Sequence, residues 1–163
     1  MEPRNVQTYR AGHEAFNQRG FEAMTKQYAE SIAWTDHPQG RRFRTPQEFK
    51  DNFLAGWVAV SPDIRITGPR YIDAGQTVVC TFTAVGTHHG PLGPFPATGK
   101  EFALPLCEMW HFDSSGRVVG GDLYYDQDTV DAPCPQPTSA TSAPAVSLAC
   151  TPSSAGIQLP TSR

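Results

Sequence analysis

The run "FALPLCEMWHF", residues 102–112, sets one carboxylate in a row of apolar side chains: in an extended strand Phe102, Leu104, Leu106, Glu108, Trp110 and Phe112 share a face. A carboxylate so placed loses solvent, which favours its protonated form and should raise its proton affinity toward the range useful for general acid or base catalysis. The structural alternative is an ion pair with Arg44 or Arg65, or an exposed position at a bulge. Histidines supply the other acid/base groups, because imidazole titrates near neutral pH. His13 falls in the stripe Val6, Tyr9, His13, Phe16, where it is either a hydrogen-bonded core residue or a group facing a cavity. Asp36 and His37 precede Pro38, and a turn explains them unless Asp36 orients an imidazole inside the fold. His88 and His89 belong to "GTHHGPLGPFPATGKEF", residues 86–102, where loop exposure is the plain reading, above all for His89.

These residues need elements to position them. Val6, Tyr9, His13 and Phe16 recur at helical spacing, with Gly20 as the stop, and Phe21, Met24 and Tyr28 give a short second helix. "SIAWTD" reads as a strand. Thr45 as N-cap, Pro46 at the first helical position and Glu48 closing a capping box open a third helix with the apolar face Phe49, Phe53, Leu54, Trp57 and Val58. Strands are predicted over Ile64 to Ile72, Val78 to Thr87, Phe102 to Phe112 and Val118 to Tyr125. Helices followed by a meander of long strands give an α+β class: three N-terminal helices packed on a strongly curved, mainly antiparallel sheet that would close into a cone. The Gly- and Pro-rich loop 86–102 is then a shaped rim at the pocket mouth.

Composition narrows the partners. Thirteen Lys and Arg against sixteen Asp and Glu give a net charge of −3. With no basic run, neither nucleic acid nor an anionic membrane is expected as a partner. The N-terminus lacks the apolar segment of a signal peptide and no stretch is long enough to span a bilayer, so the cytoplasm is the expected compartment. Cys80, Cys107, Cys134 and Cys150 have no metal-ligand spacing and no Gly-rich phosphate cradle is present, so reduced thiols, no metal and no cofactor are expected. Residues 1–131 form the predicted domain, and the Pro-, Ser-, Thr- and Ala-rich stretch 132–163 is predicted to be a disordered tail.

The order of elements, the loop with its Gly-x-His (Gly86, His88) and Pro-x-Thr (Pro96, Thr98) elements, and the closing "LYYDQ" resemble the SnoaL-like polyketide cyclases of the nuclear transport factor 2-like superfold, over residues 4 to 130. The resemblance implies a hollow cone whose wide end, near the loop, admits a ligand. It also implies a catalytic Asp on the last strand, three residues before a second Asp, and a His on the neighbouring strand. At those positions this chain has Leu123, Asp126 and Glu108. Asp122 is adjacent to Leu123 but one residue out of phase, and so points to the opposite face unless a bulge turns it. The resulting expectation is a cofactor-independent acid/base enzyme acting on a hydrophobic, carbonyl-containing small molecule by cyclisation, isomerisation or hydration. Glu108 or Asp126 would move the proton, with His13 or His88 assisting. Tyr9, Phe16, Trp57, Phe95, Leu106, Trp110, Leu123 and Tyr125 would line the pocket. The alternative is a non-catalytic binding or dimerisation module, favoured by Leu123 standing where the acid would be. A homodimer is expected through the outer sheet face, at Val79, Val85 and Met109.

Overall fold

The computed structural model describes residues 2–92 and 95–127, so the tail expected over 132–163 lies outside the described residues. Helix α1 (Arg4–Asn17) buries Val6, Tyr9, Gly12, His13 and Phe16, the stripe that its spacing predicts. It ends where Arg19 takes a left-handed conformation (φ 62°), held by donation from its guanidinium to the carbonyls of Pro62 and Ile64 at 2.6 and 2.8 Å. Helix α2 (Phe21–Thr25) is only five residues long. Tyr28, expected on its face, instead opens strand β1 (Tyr28–Asp36) and pairs with Val118, ninety residues away.

After strand β2 (Arg41–Phe43) the capping signal acts largely as predicted. Thr45 Oγ1 accepts from the Glu48 backbone N–H at 3.1 Å, while the Glu48 carboxylate reaches past the cap to accept from the N–H of Arg44 at 2.8 Å. The helical run that follows is not uniform: α3 (Pro46–Phe49) widens into a π turn (Lys50–Leu54) before α4 (Ala55–Val60).

The remaining chain is β3 (Arg65–Ala74), β4 (Thr77–Thr87), β5 (Glu101–Phe112) and β6 (Val118–Tyr125). The six strands form one open mixed sheet in the order β2-β1-β6-β5-β4-β3, antiparallel except where β1 lies parallel to β6. The helices cover one face. Between helices and sheet lies a core rich in aromatic rings, in which Tyr28 and Trp34 stack on each other and each meets both Phe49 and Trp110. Alternation on β5 is strict, burying Leu104, Leu106, Glu108, Trp110 and Phe112. Strand β3 breaks alternation: its register slips by one residue between Thr67 and Arg70, beside Gly68 at φ 60°. The outer face carries a row of Ile72, Val79 and Met109, of which Ile72 is 61% exposed, flanked by Arg70, Thr81, His111 and Asp122. It is thus more polar than a continuous Val/Met patch. Among the described residues no helix is long and apolar enough to cross a membrane.

Candidate functional site

Glu108 is the structural centre of the inner face. Its carboxylate is buried, yet neither Arg44 nor Arg65 reaches it; its partners come from α1. The Tyr9 hydroxyl donates to Oε2 at 2.5 Å, and His13 Nε2 lies 3.2 Å from the same oxygen. Both contacts arrive on Oε2, and Glu108 is one of the residues that line the cavity. Tyr9 and His13 are four residues apart on one helix, so a single turn presents both groups downward onto β5.

Close approach of α1 makes this possible. A Cβ at Gly12 would collide with the Trp110 indole, and that indole stacks on the Tyr9 ring at 4.2 Å between centroids. Burial first, and the negative charge of Glu108 second, push the Tyr9 hydroxyl well above the ordinary tyrosine range, so Tyr9 remains a proton donor at neutral pH. Cys80, opposite Glu108 on β4, is raised to about 12 for the same two reasons and is a neutral thiol.

The cavity is small, about 50 Å³, and apolar apart from His13 and Glu108. Phe16 and Met24 border it from the first two helices, Phe53, Leu54 and Trp57 from the π turn and α4, and Leu106 and Leu123 from the sheet. Of the expected lining residues, Phe16, Trp57, Leu106 and Leu123 are therefore in the wall. Tyr9 meets Glu108 instead, and Trp110 lies behind Tyr9. Tyr125 is half-buried, directed to Asp36 and in edge contact with Trp57, while Phe95 lies in the loop, bridged to Leu92.

The two other expected proton-transfer residues are placed elsewhere. Asp126 follows β6, is exposed, and borders a shallow groove with Arg70, Thr81 and Tyr124. His88 is buried within the loop, its Nδ1 3.1 Å from Thr98 Oγ1, so the Gly-x-His and Pro-x-Thr elements staple the loop to itself. The same loop is tied to α4: the N–H groups of His89 and Gly90 both donate to the Val60 carbonyl, and Gly90 packs so closely on Ala59 that a Cβ would collide with the backbone. Its described residues do not border the cavity; Ala84 and Leu104, on the strands near its base, do.

Leu123 is paired with Glu108 on one side and with Asp36 on the other, so buried carboxylates flank the position where the resemblance expects one. Asp36 does not orient His37. It accepts from the Gln39 N–H at 3.4 Å and the Tyr125 hydroxyl at 3.5 Å, and burial, opposed by these two bonds, raises its carboxyl above the usual range. His37 instead crosses to the outer face and meets Asp122 at 2.7 Å, with His111 on the other carboxylate oxygen at 2.8 Å. Burial acts to raise Asp122, but the bonds and charges of His111 and His37 outweigh it and hold the carboxyl low. Asp122 therefore faces away from the cavity, as its phase along β6 requires.

The residue that sequence reasoning missed is Tyr71 of β3, whose hydroxyl lies 2.9 Å from His13 Nδ1. Only the slip in β3 brings it to the inner face. Among the described residues no group of three or more His, Cys, Asp and Glu side chains could hold a metal ion.

Solved structures with this architecture are numerous. A candidate polyketide cyclase from Xanthomonas campestris superposes with a TM-score of 0.71 at 23% identity, covering 79% of this chain and 95% of that one. An NTF2-like protein from Burkholderia thailandensis gives 0.69 at 21%, covering 81% and 98%. IdmH of Streptomyces antibioticus, described as a candidate polyketide cyclase, gives 0.69 at 22%, covering 80% and 98%. At such identities the likeness establishes the fold. No functionally curated protein matches the chain. The model of the SnoaL-like domain matches residues 9–120, from the tyrosine that donates to Glu108 through the start of β6, and by this match the chain belongs to the SnoaL-like domain family.

Proposed function

We propose that this chain is a cofactor-independent acid/base catalyst of the cyclase type, acting on a hydrophobic, carbonyl-containing small molecule such as a polyketide-type intermediate. One observation carries the reading: a carboxylate set in an apolar cavity wall, with one oxygen fixed by Tyr9 and His13. Fixing Oε2 orients Oε1 and removes the need to reorganise when a proton moves. In this reading Glu108 takes a proton from carbon next to the substrate carbonyl and returns it at a second position. Apolar walls exclude water from the carbanion-like intermediate. The candidate polyketide cyclases among the structural relatives are consistent with this class of reaction.

A binding module is the second reading, favoured by Leu123 and by a cavity of about 50 Å³, far below the roughly 300–1,000 Å³ of typical ligand pockets. Under the catalytic reading Trp57, Phe53 and Leu54 must move apart to admit a substrate. The deciding experiment follows exchange of the protons next to the carbonyl in a panel of aromatic ketones in heavy water. The parent should accelerate exchange, and Glu108→Gln should lower the catalysed rate by about 10²–10⁴-fold while keeping its fold. Saturable binding of the ketones with no exchange above the buffer rate would establish the binding module instead.

A further inference from the structure

One row crosses the inner face of the sheet: Glu108 on β5 is paired with Cys80 on β4, and Cys80 with Tyr71 on β3. Two strand spacings separate the first and last of these residues by roughly 10 Å at Cα. The gap is bridged from above. His13 descends from α1 and touches both ends, Nε2 lying 3.2 Å from Glu108 Oε2 and Nδ1 2.9 Å from Tyr71 Oη. The charge state of Glu108 sets the donors. When Glu108 is ionised its carboxylate only accepts, so Nε2 then carries the hydrogen that faces it. A neutral imidazole then has a bare Nδ1, which accepts from the Tyr71 hydroxyl. That hydroxyl is available as a donor, because burial first and the neighbouring Cys80 second raise it above the ordinary tyrosine range, against the opposing charge of Arg10.

We propose that Tyr71 is a positioning residue: its hydroxyl locks His13 in the Nε2–H tautomer, and the Tyr71–His13–Glu108 line is the route by which Glu108 exchanges its proton with the surface. Tyr71 is the outer end of that line. It is half-buried, and its ring is capped by the exposed Arg10–Glu2 ion pair, with the guanidinium 4.7 Å from the ring centroid. The line has two self-consistent directions. With Glu108 ionised, Tyr71 donates to Nδ1 and Nε2–H donates to Oε2. With Glu108 protonated, the carboxyl donates to Nε2, Nδ1–H donates to the Tyr71 oxygen, and the tyrosine hydrogen turns outward. Passing from the first to the second, the Nε2 proton moves to Oε2 and the Tyr71 proton to Nδ1, while the Tyr71 oxygen takes one proton from solvent on its outer side, so the line gains one proton net and every atom keeps its normal valence. Tyr9 holds Oε2 in both states and stands outside the relay.

This inference rests on Glu108 as the acid/base group, and its test does not need turnover. Long-range proton–nitrogen NMR on histidine-labelled protein reads both ring nitrogens of His13. The parent should show a protonated Nε2 and a bare, hydrogen-bonded Nδ1. Tyr71→Phe keeps the ring under Arg10, so the melting temperature should barely move. Its Nδ1 signal should shift to that of an unbonded acceptor, and exchange of the Nε2 proton with solvent should slow by at least tenfold. Tyr9→Phe should leave the Nδ1 signal in place. A parent His13 protonated on Nδ1, or an Nδ1 signal and exchange rate unchanged in Tyr71→Phe, overturns the proposal. A Glu108→Gln variant that keeps full turnover overturns the acid/base reading instead, and leaves the tautomer result standing.

Discussion

Asp36 and Glu108 stand on either side of Leu123, and their surroundings give them different work. Glu108 is held by two short-range partners, whereas Asp36 has only two long ones and is raised by burial. The sign of the consequence is definite. Between the unfolded carboxyl value, about 3.9, and the raised folded value, the native state binds more protons than the unfolded chain, so Asp36 makes stability fall as pH rises through that window. Asp36→Asn abolishes this dependence. Urea midpoints of variant and parent should nearly coincide at pH 3.5, and the variant should gain on the parent as pH increases; an advantage that shrinks with pH would contradict the assignment. At this scale alternation made Glu108 and its apolar row legible, and helical spacing placed His13 beside Tyr9. Tyr71 was hidden because Ile66 and Tyr71 are five residues apart, a separation that strict alternation assigns to opposite faces. The slip at Gly68 and Pro69 puts both inside and leaves Ile72 outside.

The functional geometry of α1 depends on a residue with no side chain. Gly12 lets the helix settle onto Trp110, and this closeness lowers Tyr9 and His13 onto Glu108. Gly12→Ala adds one methyl against the indole. Overpacking of this kind costs about 1–3 kcal/mol, offset by up to ~1 kcal/mol of helix propensity, so a melting temperature lower by several degrees is expected, together with loss of the Glu108-bonded signature of His13 in the nitrogen spectrum. An unchanged spectrum would show that α1 can tilt without disturbing the site. The cap of the third helical segment was readable because it is local: within five residues Thr45 and Glu48 satisfy the backbone donors of Glu48 and Arg44. Tyr28 was misplaced for the opposite reason: its strand partner Val118 is remote, and nearby spacing favoured a helix. The π turn had no sequence cue either, yet Phe53 and Leu54, which border the cavity, belong to it.

On the scale of the whole molecule, the helices protect one face of the sheet and leave the row Ile72, Val79 and Met109 on the other. We propose that a second copy of the chain covers this row, with Arg70 and Thr81 at its rim. Sedimentation equilibrium at micromolar concentration should give twice the chain mass, reduced to the single mass by Met109→Glu; a parent that sediments as a monomer would refute the pairing. The α+β class was legible because strand lengths and turn residues are local properties, whereas the place of β1 beside β6 was not. That placement also governs how the molecule comes into being. In the sheet β1 touches only β2 and β6, and β6 is the last described strand. During synthesis the first strand, with Tyr28, Ile32 and Trp34 on its inner side, must therefore wait for nearly the whole domain before its second edge is filled. Loop closure over some ninety residues makes this step slow and leaves those rings exposed to other chains meanwhile.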